Sequence, residues 1–513
     1  MSLNVLKSKT AFNAYFVLAL VFLFFYYDLN ESLFTPPQSV HIWRQTNCLS
    51  LTLNYHQYDL PFLEPEMHNQ FGGGGYSGKA AGEFPIIYYL VAKLWDVFGA
   101  HEWIFKLVQI IILFSGLYAL FHSLIYVLKN QFLAAFVSLL VFTSPMIVFY
   151  GPNYLPDVPS LSFVFIAWYF IFRYLGKRKS INLWFSALMF CLAMLLKITA
   201  AISFIAFGGW ILMELLFMKK EQRIFCFRWK DTVPFILALV PVVLWYVYVE
   251  HYNQTNQGLY SFHGILPIWD MTKEQISRVI EVLDLIYFKE MYLPYTQYLT
   301  LAIWLFLIFR IRKLKPVFRY FIIVLPVGMA IELALWFQVF EAHDYYMVNL
   351  IVVFVAVWAI FLDQLTNLKS SIKFAVSVLI VAFFTWNAVT CRERIENRYV
   401  GWMNEMYHQM KAFKEIEPSF REWGIQPEDK VISLPDFTFN GSLYYMNRKG
   451  YTEYGSNMTS EEGFYQRIEQ GARYLVVSDS TILNNDYIKP FTQNKIGQFK
   501  NISAYDLQNI SPE

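Results

Sequence analysis

The sequence has few charged residues and no closely spaced cysteines. Only 16% of its 513 residues are charged and 56% are hydrophobic, so the chain is too apolar for an ordinary soluble enzyme. The net charge of +2 says nothing about nucleic acid, because the basic residues are scattered among connecting segments rather than gathered on one face. No nucleic-acid partner is predicted. The four cysteines, at positions 48, 191, 226 and 391, show no CxxC spacing, which indicates neither a disulfide framework nor a zinc site.

Long apolar segments, in contrast, recur along most of the chain. A helix needs about 20 largely apolar residues to cross the hydrocarbon core of a bilayer. Hydropathy predicts about eleven such spans, centred near residues 19, 115, 140, 166, 189, 208, 240, 304, 328, 354 and 380. The first is followed by Asp28 rather than by a small-residue cleavage site, so we expect it to be retained. The sequence predicts a polytopic α-helical protein surrounded by membrane lipids.

Basic residues divide the connecting segments into two sets. Segments such as "RYLGKRKS" (173–180) and "RIRKLKPV" (310–317) are rich in Lys and Arg, whereas the longer segments 28–101 and 251–296 are poor in them. By the positive-inside rule the basic set is cytoplasmic. The N-terminus is therefore predicted to be cytoplasmic, with 28–101 as the first external loop and 251–296 as the second large one.

Residues 392–513 differ in character from residues 1–391. "DKVISLPD" and "ARYLVVSDS" are β-like runs, and "SEEGFYQRIEQGA" between them is helical in pattern. The sequence predicts a transmembrane core, 1–391, followed by a small α/β domain on the outer face, 392–513. We expect that domain to be structural or to dock an acceptor.

The first external loop contains "HIWRQTNCLSLTLNYHQ", which can form an amphipathic helix along the membrane surface. His41, Arg44 and Gln45 are three and four residues apart, so one helical face would present all three. Arginine suits a phosphate, which its guanidinium can bind in two-pronged fashion. The alternative is a solvated face with no ligand.

The same loop continues into "GGGGYSGKAAGEFPIIYYL". The glycines at 72–75 suit a mobile loop that folds over a substrate. Glu83 lies just ahead of a helix that Pro85 would start, where free backbone amides favour an anion. Glu83 is therefore a candidate catalytic carboxylate or, alternatively, a helix cap.

Two charged residues adjoin predicted spans. "FYGPNYLPDVPSLSF" places Asp157 at a membrane boundary, and "AMLLKITAAISF" places Lys197 between two apolar helices. A charge in such a position is unfavourable unless it is paired or functional. Lys197 has no carboxylate nearby in the sequence, so we interpret it as unpaired and ready to bind an anion. Snorkelling is the alternative.

A last polar group begins a late span. "FEAHDYYMVNLIV" brings His343, Asp344, Tyr345 and Tyr346 together. Interfacial aromatic belts account for tyrosines but not for the His-Asp pair. Carboxylates can supply a general base, while cations and hydroxyls suit a phosphate leaving group. We therefore expect a common cavity at the outer face, lined by Arg44, Glu83, Asp157, Lys197 and His343.

In its succession of segments the chain resembles GT-C glycosyltransferases of the family-39 group, the protein O-mannosyltransferase and aminoarabinose transferase type. The segments are "HIWRQT", "EFPIIYYL", "YLPDVPSL", "LLKITA" and "HDYYMVNLI", over roughly residues 10–390. The resemblance implies transfer of a sugar from a polyprenyl-phosphate donor to an acceptor at the outer face of a bacterial inner membrane, with inversion at the anomeric carbon. The acceptor could be a lipid, a glycan or a protein.

The resemblance also distributes roles among the residues. Members of the group carry an acidic residue just after the first span, where this chain has "HIWRQ". Glu83, Asp157 and His41 are therefore the candidates for the catalytic base. The chemistry of the side chains, rather than the resemblance, predicts donor-phosphate binding by Arg44, Lys197, His343, Tyr345 and Tyr346, and other substrate contacts by Gln45 and Asp344.

Two points stay open at this stage. A divalent metal could share the work of stabilising the phosphate, but no ligand cluster compels one, so no metal ligand or other cofactor is assigned. A transporter or flippase of lipid-linked sugars is the alternative function, because the same basic residues would bind phosphate without bond cleavage. Transporters usually show internal repeats, and the sequence shows none.

Overall fold

The computed structural model describes residues 9–258, 264–284, 288–366, 369–399, 402–456 and 458–508. The chain divides into two compact units. Unit 1 comprises Met1–Phe34, Lys106–Trp245 and His263–Asn397, and unit 2 comprises Thr35–Phe105, Tyr246–Phe262 and Arg398–Glu513. The sequence predicts a boundary near residue 391 and a separate domain on its C-terminal side. In the structure the C-terminal segment shares its unit with the first long loop.

Helices make up most of the chain. In the first half they are α1 (Lys9–Tyr26), α2 (Leu29–Ser32), α3 (Ile42–Gln57), α4 (Ile86–Phe98), α5 (Glu102–Leu128), α6 (Gln131–Val141), α7 (Pro145–Tyr150), α8 (Asp157–Lys177), α9 (Ile181–Leu196), α10 (Ala201–Phe217) and α11 (Val233–Asn256). The second half contains α12 (Lys273–Val282), α13 (Phe288–Met291), α14 (Pro294–Phe309), α15 (Pro316–Leu335), α16 (Ile351–Leu365), α17 (Ser370–Asn397), α18 (Trp402–Met410), α19 (Glu417–Glu422), α20 (Gly441–Met446) and α21 (Glu461–Glu469).

The apolar helices agree with the predicted spans. Among the described residues, seven helices are long and apolar enough to cross a membrane, and four shorter apolar helices have 10–17 residues. Each of the eleven predicted centres falls within one of these helices. The chain is a multi-pass membrane protein.

Helices α8 and α9 form an antiparallel hairpin in unit 1. Only residues 178–180 separate them, and Arg178 turns the chain with a left-handed backbone, φ 51°. Ser160 Oγ donates a hydrogen bond to the carbonyl of Ala193, 2.9 Å away on the other arm. Ser160 lies near the start of α8 and Ala193 near the end of α9, so these two helix ends lie together.

Helix α9 does not continue directly into α10. Lys197 follows α9 with an extended backbone, φ −154° and ψ 119°, and a short 3-10 turn, Ile198–Ala200, then leads into α10. The predicted spans near 189 and 208 are thus separated by a break. The break places the lysine side chain at the junction of two apolar helices.

Unit 2 contains a five-stranded sheet formed by β1 (Lys430–Leu434), β2 (Gly450–Tyr451), β3 (Ala472–Val477), β4 (Lys495–Phe499) and β5 (Ile502–Asp506). The strand order is β2-β1-β3-β5-β4. Strand β1 pairs in parallel with β2 and β3, whereas β5 is antiparallel to both neighbours. The strands predicted from "DKVISLPD" and "ARYLVVSDS" are β1 and β3, and the predicted helix between them is α21.

The first long loop contributes a side chain to the hydrophobic core of this sheet. Phe71 packs in the same hydrophobic cluster as Ile432 of β1, Leu475 of β3 and Phe464 of α21. An aromatic side chain buries a large apolar area, which stabilises the packing of distant segments. This contact explains why the loop and the C-terminal segment form one unit.

Candidate functional site

In unit 2 the first candidate residues lie at the start of α3. His41 precedes the helix with a left-handed backbone, φ 57°, and Arg44 and Gln45 follow in the first turn. All three are buried, as are most residues of α3 on every side. The solvated face expected as an alternative is therefore absent from the described part of this helix.

Arg44 forms an ion pair with Glu83. Arg44 Nη2 donates to Glu83 Oε1, and the two side chains are 8% and 13% exposed. Glu83 precedes Pro85, the N-cap of α4. The contact joins the start of α3 to the start of α4, so "HIWRQ" and "GEFP" belong to one cluster.

Gln45 is engaged with backbone nearby in the sequence. Its Nε2 donates to the carbonyls of Gln38 and Val40, at 2.8 and 2.9 Å, and its Oε1 accepts from the N–H of Gln38 at 3.3 Å. A side-chain amide has two donors and one carbonyl acceptor. These bonds hold the chain entering α3, and the substrate contact expected for Gln45 stays a prediction.

The glycine-rich loop is anchored to the C-terminal part of unit 2. Residues 73–75 have φ values of 58°, 71° and 101°, a left-handed region that favours glycine. Gln470 Nε2 donates to the carbonyl of Gly74 at 2.8 Å, and the hydroxyl of Tyr451 donates to that of Gly75 at 2.7 Å. The glycines thus serve a tight, hydrogen-bonded turn, whereas the sequence suggested a mobile loop.

In unit 1, Asp157 and Lys197 form a buried ion pair. Lys197 Nζ lies 3.2 Å from Asp157 Oδ1, and the side chains are 7% and 0% exposed. Asp157 begins α8 and Lys197 follows α9, positions at which the helix dipoles favour an anion and a cation respectively. The interpretation of Lys197 as unpaired is wrong. Its partner lies on the opposite arm of the hairpin.

Aromatic rings surround the same lysine. Lys197 Nζ lies 4.2 Å from the ring centroid of Tyr346 and 5.0 Å from that of Tyr345. The imidazole ring of His343 lies 5.3 Å from the ring of Tyr345. Cation–π attraction strengthens where water is excluded. The structure therefore gathers the segments "LPDVP", "LLKIT" and "HDYY" around one ammonium group.

Further polar contacts fix the backbone beside this cluster. The hydroxyl of Tyr150 donates to Asp344 Oδ1, and both residues are fully buried. Asn349 Nδ2 lies 2.9 Å from Thr199 Oγ1 and 3.3 Å from Ser160 Oγ. These bonds tie the turn Asp344–Leu350 to α7, α8 and the break after α9. We call this region, which also contains Asp157 and Lys197, the Lys197 end of unit 1.

Sequence reasoning missed several members of this region. Tyr150, Ser160 and Asn349 lie within the motifs named above, but a neutral polar side chain beside a span gives no distinctive signal. Lys106 was missed as well: its Nζ donates to the carbonyl of Ser32 at 2.6 Å and lies 5.2 Å from the ring of Tyr154. Its signal was available, because a lysine in the first turns of an apolar span is unusual.

The candidates thus fall into two clusters. His41, Arg44, Gln45 and Glu83 lie in unit 2, and Asp157, Lys197, His343, Asp344, Tyr345 and Tyr346 lie in unit 1. The common cavity expected from the sequence therefore stays a prediction. Within the described residues, no group of three or more His, Cys, Asp and Glu side chains is arranged to hold a metal ion.

Comparison with known proteins identifies the fold. Residues 82–247 match the sequence profile of the family described as dolichyl-phosphate-mannose-protein mannosyltransferase. The chain is similar in structure to ArnT from Cupriavidus metallidurans bound to undecaprenyl phosphate, with a TM-score of 0.57 and 13% identity, over 99% of this chain and 100% of that one. The fold is that of the GT-C glycosyltransferases. The resemblance seen in the sequence is confirmed at this level.

Two structures from Archaeoglobus fulgidus agree. Its oligosaccharyltransferase in complex with Zn and sulfate gives a TM-score of 0.56 and 12% identity, over 94% of this chain and 71% of that one. AglB with an inhibitory peptide and a dolichol-phosphate gives 0.52 and 12%, over 97% and 75%. No curated protein matches the sequence.

Proposed function

We propose that this GT-C protein is an inverting glycosyltransferase that moves a sugar from a polyprenyl-phosphate carrier to an acceptor hydroxyl. The active site faces the outer side of a bacterial inner membrane, with the N-terminus cytoplasmic and residues 392–513 extracytoplasmic. The acceptor is a lipid, a glycan or a protein.

The observation that carries this proposal is the ion pair between Lys197 and Asp157 with its aromatic surroundings. The Lys197 ammonium lies 3.2 Å from the Asp157 carboxylate and over two tyrosine rings. These contacts hold the cation in a buried position with little access to water. In such surroundings a cation stabilises a phosphate leaving group more strongly than it does in water. Lys197 then binds the donor phosphate, with hydroxyls from Tyr345 and Tyr346 as further donors.

The reaction needs one proton acceptor and one stabilised leaving group. The acceptor hydroxyl loses its proton to a carboxylate as its oxygen attacks the anomeric carbon, and the bond from that carbon to the phosphate oxygen breaks. Polyprenyl phosphate leaves with the bonding electrons, and its charge is balanced by the cations. No general acid is required, because the phosphate is already a good leaving group.

The two carboxylates named as bases share one property. Glu83 is paired with Arg44, and Asp157 is paired with Lys197. A carboxylate beside a cation holds a proton weakly and gains basicity when the cation takes another anion. We infer that arrival of the donor phosphate at either cation frees the neighbouring carboxylate to accept the proton. His41 is the third candidate.

The comparisons support the choice of donor. The matched profile carries the name of a dolichyl-phosphate-mannose-dependent mannosyltransferase, and its extent, 82–247, includes Glu83, Asp157 and Lys197. Two of the similar structures hold a lipid phosphate, undecaprenyl phosphate in ArnT and dolichol-phosphate in AglB. A phosphate-linked polyprenyl sugar is the donor consistent with all of these.

The test uses the purified full-length protein in lipid nanodiscs. Undecaprenyl phosphate carrying a radiolabelled sugar is supplied with candidate lipid, glycan and protein acceptors. Release of free undecaprenyl phosphate together with label on an acceptor supports the proposal. Movement of intact donor across a proteoliposome membrane without release supports a transporter and contradicts it.

A further inference from the structure

Unit 1 contains a buried glutamate that the proposed reaction does not use. Glu332 lies in the last turns of α15, a helix apolar enough to span the membrane, and is 6% exposed. Among the described residues, no hydrogen-bond partner lies within reach of its Oε1. A buried polar atom without a partner is unfavourable. An ionisable side chain inside a span indicates a functional site.

The packing of α15 against α10 fixes the level of this glutamate along the two helix axes. A Cβ on Gly328 would lie 3.0 Å from Ile202 Cγ1, and a Cβ on Gly209 would lie 2.2 Å from the hydroxyl of Tyr320. Residue numbers rise along one helix as they fall along the other, so the helices are antiparallel. One turn beyond Gly328 is Glu332, which this register sets level with residues 198–199.

That level is the Lys197 end of unit 1. Thr199 lies two residues after Lys197 and bonds to Asn349. Asn349, like Glu332, is buried with an acceptor atom that lacks a donor. It is 1% exposed, and among the residues described no donor reaches its Oδ1. Two buried acceptor atoms without donors thus occur at one end of the helices.

The orientation of the Asn349 amide follows from its neighbours. Ser160 Oγ already donates its hydrogen to the carbonyl of Ala193, so it can only accept from Asn349. The amide NH2 group therefore faces Ser160 and Thr199, and the carbonyl oxygen is the atom left over. In this orientation the NH2 group of Asn349 donates to both hydroxyls, and its carbonyl oxygen has no donor among the described residues.

We propose that Glu332 and Asn349 form a subsite for the sugar ring of the donor, a subsite that rests on the proposed function. Two acceptors deprived of donors are complementary to a ligand that brings hydroxyl hydrogens, and a sugar ring carries several. A phosphate offers mainly acceptor oxygens to the same atoms, so it belongs with the Lys197 ammonium.

This division of labour gives the subsite a role in specificity. A site built to bond a hydroxyl rejects an analogue that lacks it, because the buried acceptor is then left without a donor. The Lys197 pair recognises the phosphate that all polyprenyl-phosphate donors share. Glu332 and Asn349 read the arrangement of hydroxyls that differs between sugars.

The experiment measures sugar-dependent affinity. Kd is determined in nanodiscs for undecaprenyl phosphate and for the same lipid phosphate carrying mannose, glucose, galactose or arabinose. The ratio of the Kd of the bare lipid phosphate to the Kd of each donor is the gain due to the sugar. Wild type is expected to show a gain for at least one sugar. Glu332→Met and Asn349→Leu are each expected to lower that gain roughly tenfold, the loss of one buried hydrogen bond, with affinity for undecaprenyl phosphate unchanged.

Two further variants make the result decisive. Glu332→Gln keeps the shape and one acceptor oxygen, so it should retain part of the gain and shows whether Glu332→Met acts by misfolding. Glu214→Gln changes a buried glutamate at the other end of α10 and should leave the gain intact. A wild-type gain that persists in both Glu332 variants, or no gain for any sugar, overturns the subsite. Failure of undecaprenyl phosphate to bind wild type overturns the proposed function itself.

Discussion

Glu214 and Glu332 are both buried glutamates in unit 1, on helices that pack together, but their surroundings are opposite. Glu214, near the end of α10, accepts from Trp210 Nε1 at 2.9 Å and from the backbone N–H groups of residues 224–226 at 2.8–3.0 Å. Glu332, near the end of α15, has an oxygen that no described donor reaches. The Glu214 carboxylate has hydrogen-bond donors on both oxygens, whereas Glu332 Oε1 has none among the described residues.

The difference extends to the two ends of these helices. At the Glu214 end, Asp231 accepts from the backbone and guanidinium of Arg228 and, at 3.2 Å, from the hydroxyl of Tyr174 on α8. At the Lys197 end, the pair of Lys197 with Asp157 spans 40 residues of sequence, since 197 − 157 = 40. The carboxylates at the Glu214 end accept from several donors of the chain itself and need no ligand. The Lys197 end combines an ion pair with a buried acceptor atom that no described donor reaches, so it is the end where a substrate can be held.

The largest expected effect is on turnover. Glu83→Gln and Asp157→Asn remove the carboxylates that can accept the proton, so the variant of the true base should lower kcat by roughly 10²-fold or more. Glu214→Gln, which changes a saturated carboxylate, should leave kcat close to wild type. The measurement is release of undecaprenyl phosphate at saturating donor.

If folded Glu214→Gln protein is as inactive as Glu83→Gln and Asp157→Asn, the contrast between Glu214 and the catalytic carboxylates is wrong. If instead both Glu83→Gln and Asp157→Asn retain wild-type turnover, neither carboxylate is the base, and His41 becomes the leading candidate.

The next effect concerns donor affinity. Lys197→Met removes a cation that binds phosphate, and undecaprenyl phosphate should bind more weakly by about 1–3 kcal/mol. The same change leaves Asp157 buried without its lysine, which is strongly destabilising. Thermal unfolding should therefore show a lowered Tm for Lys197→Met.

A double variant separates the two consequences. Lys197→Met with Asp157→Asn carries neither charge, so its Tm should recover much of the loss while its affinity for undecaprenyl phosphate stays low. Wild-type affinity in the double variant would mean that the lysine serves only to balance Asp157.

The free energy of unfolding tests the two glutamates directly. Glu214→Met leaves several N–H donors buried without an acceptor and should lower the free energy of unfolding by about 3 kcal/mol. Glu332→Met replaces an unsatisfied buried acceptor by an apolar side chain of similar length and should raise it by about 1 kcal/mol. Functional sites are commonly kept at the expense of stability. If Tm shifts in the same direction for Glu214→Met and Glu332→Met, the two glutamates do not differ in hydrogen-bond satisfaction as we infer.

The sequence reveals the features that depend on local pattern. Span centres follow from runs of apolar residues, and β1 and β3 follow from short β-branched runs between turn residues. With a turn at 178–180, counting equal arms along α8 and α9 brings Leu161 opposite Lys197 and places Asp157 about one helical turn further along α8. The sequence therefore indicates the neighbourhood of the Lys197 pair but not the partner itself. An antiparallel hairpin converts sequence distance into contact, so a lysine with no carboxylate nearby in the sequence can still be paired.

Other features depend on contacts with residues far away in the sequence, which no local sequence pattern indicates. The glycines at 73–75 predicted mobility because their anchors, Tyr451 and Gln470, lie nearly 400 residues away. Glu332 lay inside an apolar run, where only packing shows whether a carboxylate has a donor. Long-range contacts decide such cases, and these contacts come from the tertiary structure alone.

The pH dependence of stability tests a further buried group, in unit 2, whose two ring nitrogens both have partners. His68 is 1% exposed, with Nδ1 2.8 Å from Ser50 Oγ and Nε2 3.2 Å from Asn447 Oδ1. Burial lowers the pKa of His68 from 6.5 to about 4. Because the unfolded chain takes up the proton first as pH falls, stability is complete above pH 6.5 and declines between 6.5 and 4. Between pH 7.5 and pH 5 this amounts to about 2 kcal/mol. Unfolding of wild type and of His68→Gln, followed at both pH values, measures it: the variant should lack that part of the pH dependence, and equal pH dependence in both proteins would show that His68 is not held neutral by its surroundings.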